Sequence, residues 1–210
     1  MTSISCLSED NEALIIDASV VVNINATGYA DRIISAYPGS IFVPKPVVAE
    51  LERGAELGHK DAVDLHLLFE NGITRSLPIP KVAQSTFVSL VSGPSVSSLG
   101  DGEAATIACA FATGAWAVID ERKARKICLE RYKEVNLAST VDILACNAIV
   151  EAFKPHELAA AIEAALEVGR MQVQAHHLEW VLRYVRAERL ERCVSLPRQI
   201  REKAKSRKAS

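Results

Sequence analysis

The sequence predicts an α/β fold in which helices cover both faces of a parallel sheet. Short apolar runs, of the kind found in buried strands, alternate along the chain with segments of helical periodicity. Strands that lack a polar face are typical of parallel sheets covered on both sides. The chain has 210 residues, which is enough for one good-sized core or for one domain with a smaller appendage.

The individual elements follow from the apolar pattern and its interruptions. The predicted strands are residues 14–16, 40–44, 73–79, 116–120 and 135–139. We assign the third strand to a sheet edge because Pro78 cannot occupy a central strand. The predicted helices are residues 19–37 (interrupted near Gly28), 46–58, 61–72, 101–114, 121–132 and 140–153. Residues 89–100 are rich in Ser and Gly and are predicted to form a connector.

Three parts of the chain are distinguished: an α/β domain in residues 1–153, a helical extension in residues 154–197 and a basic tail in residues 198–210. Helical periodicity recurs at residues 156–168 and 176–190, and the apolar faces can pack on the main domain or against a second copy of the chain. Arginines recur every three residues at positions 183, 186, 189 and 192. They predict a basic stripe that could bind a phosphate backbone or an acidic segment of an antitoxin.

The net charge of −2 conceals an uneven distribution. Residues from Arg183 to the end carry ten Lys or Arg and three Glu, so the rest of the chain is acidic. A basic tail on an acidic body favours a polyanion or an acidic protein as partner, although a tail that only keeps the chain in solution fits equally well. The tail is expected to be frayed, because it has no apolar residue larger than Ala.

Other features narrow the class of protein. No apolar run reaches the roughly 18 residues of a membrane span, and the N-terminus lacks a signal-peptide pattern. The five cysteines are scattered and predict reduced thiols in a cytoplasmic protein. The histidines are scattered along the chain, and His176 and His177 are adjacent and so do not share a helix face, which argues against a zinc site.

Four carboxylates are predicted to meet at one edge of the sheet. Asp17 and Asp120 each end a buried strand, and the carboxyl ends of parallel strands share an edge. Glu50 and Glu103 lie early in helices that begin at the same edge. Two unit charges about 4 Å apart repel by about 4 kcal/mol at an effective dielectric of 20. Either some of these acids are protonated or divalent cations neutralise them. With oxygen ligands only and no His or Cys nearby, such a cation should be hard, Mg²⁺ or Mn²⁺.

Each acid also has a purely structural interpretation. Asp17 and Asp120 can cap the helices that follow them, and Asp101 can cap the helix that contains Glu103. Glu103 complements the helix dipole, and Glu50 can belong to a solvated helix face. Only the convergence of all four acids at one edge favours a site.

These residues occur in stretches that resemble the PIN-domain ribonucleases, in particular the branch related to VapC-like toxins. The stretches are LIIDASVVVNI with Asp17 and Ser19, GSIFVPKPVVAELERG with Glu50, LGDGEAATIACA with Glu103, and AVIDERKARKI with Asp120. STVDILACNAI looks like the helix that closes such domains. The resemblance covers residues 13–153 with the stretches in the family's order.

The resemblance implies a PIN-like sheet and a Mg²⁺- or Mn²⁺-dependent endoribonuclease that cleaves single-stranded RNA. It assigns metal binding and catalysis to Asp17, Glu50, Glu103 and Asp120. A toxin of a type II toxin–antitoxin module would also bind an antitoxin, in the cleft or on the C-terminal helices.

Further residues are predicted to contact the substrate or the metal ligands, and the two arginines among them also have a purely structural interpretation. Ser19 and Asn23 are predicted to bond a ligating carboxylate or the phosphate. Arg122 and Arg125 are predicted to clamp the RNA backbone, or else to lie on a solvated helix face.

Two departures from the family pattern leave the metal ligands open. The third acid is Glu where many relatives have Asp, and Glu121 or Asp101 could replace one of the four assigned ligands. A phosphatase of the haloacid-dehalogenase type would need a second Asp at the position of Ser19. The stronger alternative is an inactive PIN-like module that binds RNA or protein.

Overall fold

A computed structural model of the chain describes residues 4–7 and 12–202. The described residues form a five-stranded, fully parallel sheet in the order β3-β2-β1-β4-β5. The strands are β1 (Leu14–Ile16), β2 (Ile41–Pro44), β3 (Arg75–Leu77), β4 (Trp116–Val118) and β5 (Leu137–Ala138). The predicted α/β class is therefore confirmed, and β3 lies at an edge as Pro78 required.

Helices connect the strands and continue beyond the last one. They are α1 (Ala18–Ala26), α2 (Ala30–Ala36), α3 (Lys45–Ala55), α4 (Asp61–Glu70), α5 (Gln84–Val91), α6 (Asp101–Thr113), α7 (Arg122–Arg131), α8 (Thr140–Leu144), α9 (Asn147–Ala152), α10 (Pro155–Glu167) and α11 (Leu178–Leu182). Short 3₁₀ turns precede α5 and α11. Gly28 adopts a positive φ of 74° between α1 and α2, at the predicted interruption.

The core lies on both faces of the sheet, as the apolar strands predicted. Leu14 and Ile16 belong to the core on one face, which also contains side chains of α1, α3, α8 and α10. Ile15, between them, belongs to the core on the other face, which α6 and α7 cover. Because successive residues of a strand point to opposite faces, even this three-residue strand is buried on both sides.

Residues 140–153 were predicted to form one helix and form two instead. α8 and α9 are separated at Ala145 and Cys146, and Cys146 is extended with a ψ of 134°. Val141, Ile143 and Ile149 are all fully buried. All five residues of α8 are buried, so this short helix lies within the core, and the extended Cys146 starts α9 as a separate helix.

The prediction for residues 176–190 was wrong, because α11 ends at Leu182 and turns follow it. The backbone N–H of Arg186 donates to the buried Glu163 of α10 rather than to a helical carbonyl. Arg186 and Arg189 form ion pairs with Glu163, and Arg183 pairs with Glu179. The regular basic stripe is therefore absent from the described residues.

Two further segments differ from the prediction. α5 includes the first residues of the predicted connector, and its Leu90 is fully buried. At the other end of the chain, residues 198–202 are helical. Residues 203–210, which make up the rest of the predicted basic tail, lie outside the described residues.

Candidate functional site

The candidate site lies where β1 and β4 end side by side. Asp17 directly follows β1, and its backbone N–H donates to the carbonyl of Val118, the last residue of β4. Its side chain is only 4% exposed. The N-terminus of α6 approaches this edge and brings Gly102 and Glu103 to it, while α3 brings Glu50 from the neighbouring strand β2.

Asp17 uses its two oxygens differently. Oδ2 accepts hydrogen bonds from the Ser19 hydroxyl at 2.9 Å and from the Ser19 backbone N–H at 3.4 Å, so it caps α1. Oδ1 faces Gly102, where a Cβ atom would lie 3.3 Å from it. The same Cβ would lie only 2.6 Å from Glu50 Oε2. Oxygens of Asp17 and Glu50 therefore meet over a backbone position that has no side chain.

Glu103 lies beside this pair in the first turn of α6. Its Oε2 accepts the backbone N–H of Gly100 at 3.1 Å. Burial, and then the charges of Asp17 and Glu121, raise the pKa of Glu103 to about 7. Gly100, rather than Asp101, is the N-cap of α6, so the cap predicted for Asp101 is wrong.

The pKa values of Asp17 and Glu50 are also raised. Burial is the main cause for Asp17, against hydrogen bonds from Ser19, and the charge of Glu121 adds to it. Burial is again the main cause for Glu50, followed by the charge of Asp17. In each case burial disfavours the charged form, and the charge of a neighbouring carboxylate adds to the shift.

Asp120 occupies a separate network at the end of β4. It is 1% exposed, and its Oδ1 accepts the Thr140 N–H at 2.8 Å. Its Oδ2 accepts the Thr140 hydroxyl at 2.5 Å and the Asn23 amide at 2.7 Å. Burial raises the pKa of Asp120 to about 6, although these hydrogen bonds oppose the shift. Both of its oxygens are thus already bonded to the protein.

Glu121 is the acid from this strand end whose charge acts on Asp17 and Glu103. Its Oε2 also accepts the Ala124 N–H and caps α7. The fold therefore brings Glu50 and Glu103 each into electrostatic contact with Asp17, and it places Glu121 where its charge acts on Asp17 and Glu103. Whether Asp120 or Glu121 completes the ligand set stays a prediction.

The residues predicted to bind substrate take different positions. Ser19 bonds Asp17, and Asn23 bonds Asp120, as a residue that orients a carboxylate would do. Arg125 is turned inward, and its Nη1 donates to the carbonyls of Ile119 and Ala138. Arg122 is exposed and borders an open cavity beside Glu121.

The carboxylate set fits a hard divalent cation. Asp17, Glu50 and Glu103 offer oxygen donors only, and Gly102 leaves the space between two of them open. Burial, and then the charge of a neighbouring carboxylate, raises these pKa values, so keeping the acids ionised here carries an electrostatic cost. A cation at this edge, held by these acids with Glu121 or Asp120, would remove that cost.

A second polar group, which the sequence did not reveal, lies near α8. Ligand atoms of Asp142, His176 and His177 lie within 4.8 Å of one another. His177 Nε2 is 3.0 Å from Asp142 Oδ1, and Ser139 donates to Asp142 Oδ2. Although burial opposes it, these hydrogen bonds hold the pKa of Asp142 well below its usual range. The contacts are those of a buried clamp between α8 and the C-terminal segment.

Comparison with known proteins identifies the fold. The model of a family described as PIN domain matches residues 13–182, most of the chain. No curated protein and no solved structure is significantly similar to it. No helix in the described ranges combines the length and hydropathy of a membrane span. The chain therefore belongs to the PIN-domain family, whose members are usually nucleases.

Proposed function

We propose that this chain is a metal-dependent endoribonuclease that cleaves single-stranded RNA with Mg²⁺ or Mn²⁺. The observation that carries the proposal is the meeting of Asp17 Oδ1 and Glu50 Oε2 over Gly102, with Glu103 beside them. Membership of the PIN-domain family supports a nuclease. Acids gathered at this energetic cost are expected where a cation is needed for phosphodiester chemistry.

The residues have distinct roles in this mechanism. A bound divalent cation lowers the pKa of a water molecule and neutralises the charge that develops on the phosphate. Ser19 fixes Asp17 through Oδ2, so that Oδ1 stays directed at Gly102 and Glu50. Glu103, with a pKa of about 7, must release its proton before it can act as a ligand. Metal binding is therefore expected to strengthen as the pH rises through neutrality.

Asn23 and Thr140 act as positioning residues in the proposed enzyme. They hold Asp120 at the end of β4, and Asp120 is followed directly by Glu121. Because Glu121 is the next residue, fixing Asp120 also fixes the backbone position of Glu121. From there the charge of Glu121 acts on the Asp17 carboxylate. Arg122 follows at the exposed start of α7 and can bond a phosphate oxygen of the RNA.

We further propose that the nuclease is the toxin of a type II toxin–antitoxin module in the cytoplasm. The support is the order of the four acidic stretches, which resembles the VapC-like branch. An antitoxin would then cover the acidic edge or the C-terminal segment, and a second copy of the chain could form a homodimer.

Degradation of a mixed single-stranded RNA pool, with Mn²⁺, with Mg²⁺ and with EDTA, tests the proposal. We expect cutting that requires a metal and that falls at least a hundredfold in Asp17→Asn. The matched control is Asp64→Asn, an exposed acid on α4, which should cut like the wild type. Calorimetry with Mn²⁺ should show uptake by the wild type and weaker uptake by Asp17→Asn.

Two results would contradict parts of the proposal. No cutting and no Mn²⁺ uptake by the folded, antitoxin-free chain would identify a PIN-like module that binds RNA or protein without cleaving it. A sharp fall in the metal-free melting temperature of Asp17→Asn would make Asp17 a structural cap. We expect that variant to be at least as stable as the wild type without metal, because it removes a repelling charge.

A further inference from the structure

We propose that a cavity beside the acidic edge binds a phosphate of the RNA strand next to the scissile one, which rests on the function proposed above. The cavity has a volume of about 440 Å³, within the range of pockets that hold small ligands. It lies between the start of α7 and the segments that follow α10 and α11. Its lining residues are Glu121, Arg122, Arg170, Gln172, Val173, Val194 and Ser195.

Two arginines of this cavity have no partner within the described part of the chain. Arg122 and Arg170 are both exposed, and neither guanidinium makes a hydrogen bond or ion pair there. In contrast, Arg125, Arg186 and Arg189 bond backbone carbonyls or buried carboxylates. Two unsatisfied guanidinium groups at one cavity favour an anionic ligand with several oxygens.

The backbone of Arg170 supports a role for its side chain. Its φ is 58°, the single positive φ of a non-glycine residue among the described positions. This conformation costs an L-residue about 1–2 kcal/mol. Glycine or asparagine is the usual residue in this conformation at a helix end, and here a long cationic residue takes it at the end of α10. Strain of this kind concentrates at functional sites.

Neutral donors complete the cavity. Ser195 Oγ is buried and has no hydrogen-bond partner. The amide of Gln172 lies on the same lining. The Gln172 amide and the two guanidinium groups of this lining can donate to the oxygens of a phosphodiester. The carboxylate of Glu121 is the opposing charge, so the lining keeps a net positive charge of one.

The cavity wall is joined to the acidic edge. A Cβ at Gly169 would lie 2.6 Å from the buried Asn23 Oδ1, so the turn after α10 packs directly on Asn23. Gln174 Nε2 donates to the backbone carbonyl of Asp120. Glu121 lies at the boundary, lining the cavity and raising the pKa of Asp17. An RNA strand at the acids would therefore extend into this cavity.

Binding of a fluorescently labelled ten-nucleotide RNA in EDTA, followed by anisotropy over a range of salt concentrations, tests the proposal. We expect Arg170→Ala and Arg122→Ala each to weaken RNA binding about tenfold. Each should also make the plot of log affinity against log salt concentration less steep, by the amount expected for the loss of about one phosphate contact. The control is Arg75→Ala, an exposed arginine at the start of β3, at the opposite end of the sheet from the acids. It should bind within twofold of the wild type.

Arg170→Gly separates a binding role from a structural one. Glycine adopts the positive φ without strain, so this variant should melt at or above the wild-type temperature while it loses the same RNA affinity. Wild-type RNA affinity in both Arg170 variants would overturn the proposal, whether or not the chain cleaves RNA. Titration with inorganic phosphate adds a further arm. Arg170-dependent phosphate binding with Arg170-independent RNA binding would assign the cavity to free phosphate instead.

Discussion

The substitution Gly102→Ala separates the proposed site from the stability of the fold. The new Cβ would lie 2.6 Å from Glu50 Oε2, 3.3 Å from Asp17 Oδ1 and 3.4 Å from Val47 Cγ2. The first distance is too short, so one group must move. Asp17 is buried and held by Ser19, whereas the Glu50 side chain is only partly buried and makes no hydrogen bond within the described residues. We therefore expect the Glu50 carboxylate to swing outward.

The expected effect on folding is small and of known sign. Alanine is favoured over glycine inside a helix by up to about 1 kcal/mol, and moving Glu50 away from Asp17 relieves repulsion. The unfolding free energy in EDTA should therefore stay unchanged or rise by up to about 1 kcal/mol. Affinity for Mn²⁺ should fall about 10- to 100-fold because a ligand is displaced, and RNA cleavage should fall with it.

Circular dichroism in EDTA, calorimetry with Mn²⁺ and RNA cleavage measure the three quantities. The matched control is Gly54→Ala in α3, where the nearest atom to a new Cβ is 3.8 Å away in His59. This control changes the helix propensity without touching the acids. Equal Mn²⁺ affinity and equal cleavage in the two variants would refute the assignment of Glu50 and Asp17 to one metal site.

Two further predictions concern the buried acids. The pKa of Glu103 is raised from 4.5 to about 7. Between these two pH values the folded, metal-free protein keeps a proton that the unfolded chain releases. The unfolding free energy of the wild type therefore falls as the pH rises from 4.5 to 7. In EDTA, the unfolding free energy of Glu103→Gln relative to the wild type should therefore rise by about 1–2 kcal/mol between pH 5 and pH 8. This value is smaller than the full pKa shift would give, because Glu103 is partly exposed to solvent. A difference between the two proteins that stays constant with pH would contradict the raised pKa. Thr140→Val removes the hydroxyl that donates to Asp120 and should lower the unfolding free energy by about 1–3 kcal/mol in urea denaturation. A loss below 0.5 kcal/mol, roughly that of a surface substitution, would mean that Asp120 does not depend on this bond.

The sequence was sufficient to predict the five strands, the helices between them other than α5, and the edge where the acids gather. Apolar runs and helical periodicity are local signals, and parallel strands place their carboxyl ends together. The directions of individual side chains were not predictable in this way. Asp120 and Glu121 are adjacent in sequence, yet their side chains have different neighbours. Asp120 accepts hydrogen bonds from Asn23 and Thr140, whereas the charge of Glu121 raises the pKa of Asp17. Only the packing around the end of β4 decides between them.

The same limit applied to the arginines and to the C-terminal segment. Arg125 bonds the ends of two strands, a contact that depends on where β5 lies and not on the sequence around α7. After α11 the backbone N–H of Arg186 donates to Glu163, 23 residues earlier, instead of to a helical carbonyl. Helical periodicity carries no information about a hydrogen bond from another element.

These long-range contacts give the C-terminal segment a role in the site. α10 packs on α1, which carries both Ser19 and Asn23. The turn after α10 rests on Asn23, and the segment beyond it bonds Asp120. The buried Glu163 then fixes Arg186, so the chain leading to Ser195 is held on the same side. The acids and the proposed phosphate cavity are thus parts of one packing unit. We therefore expect a C-terminal residue such as Arg170 to affect RNA binding at acids that lie far away in sequence.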